Sequence, residues 1–577
     1  MRFCPSAPLK ETLFLAIPLW ANIISAAANI DFDALGATTS LAEKSTICNI
    51  LDYGAVADGV TDIAEAISTA FTSCVAGNAA TLYIPEGNYS LATGVKLNGA
   101  SGWAFQIDGL ITLTSDGDFD GNAFIIERGS DFELFSSNNL GAIDGQGYIA
   151  RRDSTGQNAR LVRLIDMDSV SIHNMILIDS PTFHFVLDDV SNLELFYVTI
   201  RAGDIGATDG IDLICTNNCY LHDFEVTNRD ECVSVKAGSD NVLIEEAYCN
   251  HSGGMSIGSL VAGNVVSNIT MRNIYSYECV QMLMIKTFPG GTGAQGNVTD
   301  SVFENFWGYS TTYALDINQY WQETYSPDTG AVALNNLVFT NWTGSLADGM
   351  ERGPVMWSAS DIVPSQNITL EGFYMGGLTG DRMINKCNNV YGSGGCIQAA
   401  TGTTTYSTVV TTWSVAPSGW TAPASPTWGV SGYGLTVPIP VYTPSVFWPT
   451  ASASATAAVV TSSPTALYVV SSSAIPVSSV VSSSHAVSTD ASTPSSATLA
   501  TITSLPPATT STSSTSTSST SDSSLFMSID EPSVSPQPTD VAEDYGGCEA
   551  NYPSPAFQPE NKHRHGHGQH FHRRRLH

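Results

Sequence analysis

Short apolar runs, four or five residues long and rich in Val, Ile, Leu, Phe and Tyr, recur through the middle of the chain and alternate as strands do. They begin near Val170, Leu193, Tyr220, Val242, Ile269, Val298, Leu337 and Ile368, a spacing of roughly 22 to 39 residues that suits a repeat with variable loops. Asn192, Asn241, Asn268 and Asn367 each stand directly before a run. An Asx side chain bonds nearby backbone and tolerates the left-handed conformation, so these residues predict corners. Amphipathic helical sequence between the runs is too scarce for alternating strand and helix units. The pattern predicts an all-β fold, a right-handed single-stranded parallel β-helix whose coils bury their apolar faces on one another. An antiparallel β-sandwich is the alternative, but tight Asn-Gly or Asp-Gly hairpin turns are few and the repeat is long for a meander.

The ends of the chain differ from this middle. Asp52 to Asp62 precedes a predicted short helix, Ile63 to Thr72, placed to cap the first coil. Beyond Ala399 the sequence becomes Thr-rich, then Pro-punctuated with Trp420, Trp428 and Trp448. Residues up to about 447 are expected to cap the other end, completing a solenoid domain over 29–448. Residues 449–545 are Ser, Thr, Ala, Val and Pro with few aromatic or charged residues, a composition expected to stay disordered as an O-glycosylated linker. Residues 546–577 form a tail containing Cys548, His563 to His570 and Arg573 to Arg575, read as a disordered basic end rather than a metal site.

Charge and cysteines narrow the setting. The 577 residues carry a net charge of −32, which argues against a nucleic-acid partner. Residues 1–28 read as a secretory signal, with Arg2 and Lys10 before the apolar run Leu13 to Trp20 and the small residues Ser25 to Ala28 after it. No later run is apolar enough to span a membrane. Of the 11 cysteines, loss of Cys4 leaves an even number, as expected outside the cell. Cys48 with Cys74, Cys232 with Cys249 and Cys387 with Cys396 are plausible pairs, whereas Cys215, Cys219, Cys279 and Cys548 are not assigned. Glycosylation sequons stand at Asn88, Asn250, Asn268, Asn297, Asn341 and Asn367. The expected product is a secreted, extracellular monomer.

The candidate chemistry lies between Thr208 and Lys286. Asp209 and Asp230-Glu231 are separated by about 21 residues, close to the repeat, so stacked coils would bring them side by side. An Asp-Gly turn usually needs its acid for its own backbone, and adjacent acids are usually a solvated face. The matching register and the neighbouring Cys232 favour a site. Lys286 follows Met282-Leu283-Met284-Ile285, apolar residues that fix its stem. Crowding three carboxyl groups raises the pKa of at least one, which implies an acidic pH optimum. Trp307, Tyr309, Tyr313, Tyr320 and Trp321 are candidate sugar platforms or packing residues. His251 is read as structural.

At these residues the chain resembles glycoside hydrolase family 28, the pectin-degrading hydrolases, and within it the fungal rhamnogalacturonan hydrolases. The resemblance runs from about Ile50 to about Trp448 and includes Tyr53 to Gly59 and Gly145-Gln146-Gly147. Ala207-Thr208-Asp209 and Asp230-Glu231 keep the acids of the family's Asn-Thr-Asp and Asp-Asp motifs. Ser252-Gly253-Gly254 stands where the polygalacturonases have Gly-His-Gly, and Met284-Ile285-Lys286 where they have Arg-Ile-Lys. The resemblance implies Asp230 as general acid, Asp209 and Glu231 activating water for an inverting displacement, and no cofactor or metal. It further implies Lys286 on a galacturonate carboxylate, with Met284 and Tyr313 shaping a neighbouring subsite. Methionine cannot bind a sugar carboxylate as arginine does, so the implied substrate is rhamnogalacturonan, cut at its α-1,2 galacturonate-rhamnose bonds. Endo action is expected, with the inserts after Gly290 and Tyr325 as candidate groove walls. Other family activities (exo- or endo-polygalacturonase, xylogalacturonan hydrolase), a calcium-dependent pectate-type lyase and a non-catalytic pectin-binding wall protein remain alternatives.

Overall fold

The computed structural model describes residues 28–442 except 322–328, 348–352, 381 and 400–408. The signal up to residue 27, the Ser/Thr-rich linker, the basic tail, Trp448 and the insert at Tyr325 lie outside the described residues. Among those described, no helix is long and apolar enough to cross a membrane.

The chain winds as a parallel β-helix. Its long strands Arg160–Ile178, Phe185–Arg201, Ile211–Thr227 and Asp240–Asn250 pair in parallel with the next turn of the chain. Val170, Leu193, Cys219, Val242 and Ile269 form one row, which the unbroken register of the next pair continues through Ser301, Leu337 and Ile368, so most of the predicted runs stack on one another. Two runs are displaced. Cys219 is the buried residue of its row while Tyr220 beside it reaches Glu245 on the outside, and Val298 stacks on Val266 one face earlier in its coil. Parallel pairing throughout the described coils rules out the sandwich.

The corners explain why Asn precedes the runs. Asn192, Asn241, Asn268 and Asn367 have φ of 48°, 57°, 55° and 53°. Non-glycine residues rarely adopt this left-handed region, and Asn pays least for it. Corners of successive coils also bond each other. Asn218 Nδ2 donates to Asn192 Oδ1 at 3.0 Å, Asn305 to Asn273 at 3.0 Å, and Asn341 to Asn305 at 2.6 Å. The ladders matter for the sequons: the amide nitrogens of Asn268, Asn341 and Asn367 are donated to Asp240, Asn305 and Asn336. Asn250 is a correction, because it is fully buried and its Oδ1 accepts the Val430 N–H, leaving no room for a glycan. Asn88 is exposed and Asn297 half-buried.

The predicted N-terminal helix forms over Ala64–Ala70, burying Ala64, Ala66, Ile67 and Ala70, and runs into a wider turn, Phe71–Val75. The expected Cys48–Cys74 disulfide ties that turn to the first strand. Cys232–Cys249 and Cys387–Cys396 also form, joined by Cys215–Cys219, while Cys279 is a buried free thiol. A second helix, Gly147–Asp153, was not expected.

The C-terminal segment departs from the expected cap. Among the described residues, Val409–Trp413 alone closes an edge, by antiparallel pairing with Ile384–Asn388. Residues 414–442 instead run back along the side of the solenoid. Trp420 packs on Tyr374, Trp428 on the stacked Tyr248 and Tyr275, and Ile439 joins Ala142, Ile176 and Ile178 near the other end. Stacked tyrosines make a continuous apolar strip, and a Pro-rich segment that cannot extend a ladder covers it. Residues 28–39 run along another side, donating backbone N–H groups to Thr270, Asn218, Ser171 and Asp131.

The corner ladder gives the first prediction. Asn305→Ala, which strains the left-handed corner and removes two hydrogen bonds, costs about 2 kcal/mol in thermal or urea unfolding. Asn305→Gly, which relieves the strain alone, costs less. Equal losses would show that the backbone conformation contributes nothing.

Candidate active site

The site is built by register. Residues Ile211, Val233, Met255, Leu283 and Leu315 form one continuous inward row across five neighbouring turns of the helix. Asp209 and Asp230-Glu231 therefore meet where their strands begin, and carboxylate oxygens of Asp209, Asp230 and Glu231 all lie within 4.8 Å of one another.

Backbone packing fixes this meeting point. Asn228 Nδ2 donates to the carbonyls of Thr208 and Glu231 at 2.8 and 3.0 Å, tying the two acidic segments together. The buried His184 Nδ1–H donates to the Asp209 carbonyl at 3.0 Å, while its Nε2 accepts the Ser180 N–H. Burial lowers the His184 pKa to about 4, so it serves as a neutral bracket. Asp230 accepts the Ala207 N–H at 2.6 Å. Gly253 lies so close to the Asp230 and Glu231 backbone that a Cβ would meet it at 3.0–3.2 Å. The segment that replaces the family's histidine is thus a tight packing surface under the acids.

Lys286 reaches the cluster from two turns away. Its ammonium pairs with Glu231 and lies 5.2 Å from the Trp321 ring centroid. The intervening turn makes this reach possible. Gly254 and Gly258 have φ of 85° and 118° and no space for a Cβ, which would strike the carbonyls of Gln281 and Lys286. Both glycines instead let this turn lie directly against the backbone of the turn that carries Lys286.

Charges then divide unequally. Burial opposes ionisation of Glu231, but Lys286, a hydrogen bond from Asp230 and the more distant Lys236 hold its carboxyl well below the usual range. Lys286, which burial alone would discharge, is held charged by Glu231. Burial and the neighbouring negative charge of Glu231 push Asp230 well up, and burial with Asp212, Asp230 and Glu231 does the same to Asp209. One fixed anion beside two carboxyl groups that retain protons is the arrangement acid–base chemistry at a single bond requires. Three atoms no more than 4.8 Å apart leave a point about 2.8 Å from all of them, hydrogen-bonding distance for one water oxygen.

The other expected site residues are distributed as follows. Met284 is 4% exposed and lies beneath the groove, with Gln281 against its sulfur. Tyr313 is half-buried in the turn before Leu315–Asn318. Of the aromatic candidates, Trp321 is at the cluster. Trp307 and Tyr309 stack on Tyr275 and Tyr277 in the ladder under Trp428, so they pack the wall. Tyr320 Oη accepts the Asp361 N–H at 2.9 Å. His251 rests on Gly432 and Tyr277, a structural position as expected. Sequence reading missed the ion pair of Asp212 and Lys236 beside the cluster, at 3.1 Å. The alternation Val233-Ser234-Val235-Lys236 puts that lysine on the same face as Ser234 and was the available signal.

A prediction follows from the Lys286–Glu231 pair. Glu231 is depressed below its ordinary 4.5, so its contribution to stability is present above that pH and lost as pH falls toward the folded value. Lys286→Met leaves a buried carboxylate unpaired and costs about 3 kcal/mol at pH 6. That deficit shrinks as the pH is lowered below 4.5. A deficit independent of pH would mean the loss is one of packing.

Comparison with known proteins agrees with this geometry. The family model described as Glycosyl hydrolases family 28 matches residues 74–400. "Probable rhamnogalacturonase B" of Neosartorya fischeri is 42% identical over 443 residues, 76% of this chain and 84% of that protein. "Rhamnogalacturonase A" of Aspergillus niger is 41% identical over 420 residues, 72% of this chain and 92% of that protein. Among solved structures, an endo-xylogalacturonan hydrolase from Aspergillus tubingensis superposes with a TM-score of 0.53 at 23% identity. It covers 62% of this chain and all of that one, and shares the fold. Through the matched region, the identity to these relatives and the stacked acids at its centre, the chain belongs to glycosyl hydrolases family 28.

Proposed function

We propose that this glycoside hydrolase is a secreted, endo-acting monomer that cleaves α-1,2 galacturonate-rhamnose bonds of rhamnogalacturonan I with inversion. The observation that carries the chemistry is the three-carboxyl cluster with its charge fixed on Glu231 by Lys286. The substrate rests on relatives 41–43% identical that bear the name rhamnogalacturonase. It is supported by a methionine, Met284, where a uronate-binding arginine would stand. Secretion is supported by the N-terminal apolar run and the four disulfides.

Asp230 holds the proton for the leaving glycosidic oxygen, because burial and the Glu231 anion oppose its loss. Glu231, the ionised member, takes the proton of the attacking water, and Asp209 holds that water in place. Separation alone would suggest a different stereochemistry. Retaining enzymes hold two carboxyl groups about 5–5.5 Å apart and inverting ones about 6.5–9.5 Å. Here a third carboxyl group alters the comparison: a water held among three acids occupies the attacking position, and Glu231, charge-paired to Lys286, is a poor nucleophile. Lys286 acts first on Glu231, and a galacturonate carboxylate would share its remaining donors. The ammonium also places positive charge among the acids without a metal ion.

Incubation with rhamnogalacturonan is expected to release reducing ends without ultraviolet-absorbing unsaturated products, unchanged by EDTA, and to leave homogalacturonan intact. Unsaturated products abolished by EDTA would make the protein a lyase, and rapid cleavage of homogalacturonan would refute the reading of Met284. Asp230→Asn should lower kcat by about 10²- to 10⁴-fold while oligosaccharide binding persists. A pectin-binding protein without activity would be indifferent to that change.

A further inference from the structure

One carboxylate in the same ladder has no role in the mechanism above. Asp316 lies between Leu315 and Ile317, both fully buried, so strand alternation turns its side chain to the opposite, groove-lining face. In register it sits between Met284 on one neighbouring turn and Met356 on the other. It is half-buried, with no hydrogen bond or ion pair among the described residues, and burial alone pushes its pKa up to about 6. A carboxylate between two thioethers is unfavourable for folding unless a ligand completes it. It lies three turns from Glu231, about 14 Å along the axis at the usual strand spacing. That distance places it within reach of sugar units beyond the scissile bond rather than at the bond itself.

We infer that Asp316 and the flanking Met284 and Met356 form a subsite for an uncharged deoxy sugar. The carboxylate accepts sugar hydroxyls, the half-buried Met356 thioether contacts the methyl edge above the buried Met284, and a uronate is turned away. The inference rests on the rhamnogalacturonan reading and names the residue that selects the neutral unit. A hydroxyl donates to a carboxylate in a strong, charge-assisted bond, whereas a second carboxylate at that distance is repelled. In a strictly alternating polymer, fixing the neutral unit at one position fixes the register of the whole chain across the catalytic acids. Asp316 therefore acts on which bond is presented, and leaves the bond-breaking step to Asp230, Asp209 and Glu231.

The test uses the full chain and its Asp316→Ala and Asp316→Asn variants, with steady-state kinetics on rhamnogalacturonan. Binding of oligogalacturonate and rhamnogalacturonan oligosaccharides is then measured in an Asp230→Asn background. Asp316→Ala is expected to raise KM for rhamnogalacturonan about tenfold with little change in kcat. Asp316→Asn, which keeps a hydrogen-bonding group and removes the charge, is expected to lose less and to bind oligogalacturonate several-fold more tightly. Folding is monitored separately. Because the Asp316 pKa is raised, its ionisation costs stability increasingly as pH rises from the ordinary 3.8 through about 6, so Asp316→Asn should melt no lower than the parent at pH 7. Variants within twofold of the parent for both polymers overturn the inference, as does a lower melting temperature with unchanged specificity. A parent chain that does not cut rhamnogalacturonan at all overturns the underlying reading instead, a result visible before any variant is made.

Discussion

Everything at the site depends on the in-register stacking of parallel coils. A single turn of this chain cannot bury its apolar face, and only the next turn covers it. Once the inward rows are aligned, every other residue of each turn is aligned as well, including those just before the strands. Asp209 and Asp230 come together because Ile211 stacks on Val233, and Lys286 arrives because Leu283 stacks on Met255. A slip of one residue would exchange the inner and outer faces of a strand and disperse the acids.

Within that frame, small residues decide where charge can meet charge. Gly253, Gly254 and Gly258 let the turn between the acids and Lys286 pack directly on the backbone of its neighbours. The lysine crosses that turn to Glu231, and the resulting fixed anion keeps protons on its neighbours. The substitution of glycine for the histidine of the related polygalacturonases thus has a structural consequence as well as a loss of binding capacity. Two extended segments along the flanks serve the same end less directly. The C-terminal one accepts the Asp204 N–H at the Tyr433 carbonyl, bracing the loop from which Ala207 donates to Asp230.

Much of this was legible in the sequence because the period of the apolar runs and the Asn corners report local constraints. The three acids were found from that period. The ion pairing of Lys286 with Glu231 was not, since it spans two turns and depends on how closely the intervening one packs rather than on spacing. The C-terminal segment was misread as a cap because its tryptophans carry no register. They follow a tyrosine strip, Tyr248 and Tyr275, that exists only after the coils stack. Asp316 was passed over for Tyr313 because nothing local distinguishes an acid on a strand's outer face from a solvated one.

The central claim is that these stacked acids carry out one displacement by water with no covalent sugar–enzyme bond. The most direct measurement is the anomeric configuration of the first products released from rhamnogalacturonan, read by proton NMR before mutarotation. The account predicts that the new galacturonate reducing ends appear as the β anomer and then equilibrate. First products in the α configuration would show a double displacement, with one of the crowded carboxylates as nucleophile, and would contradict it.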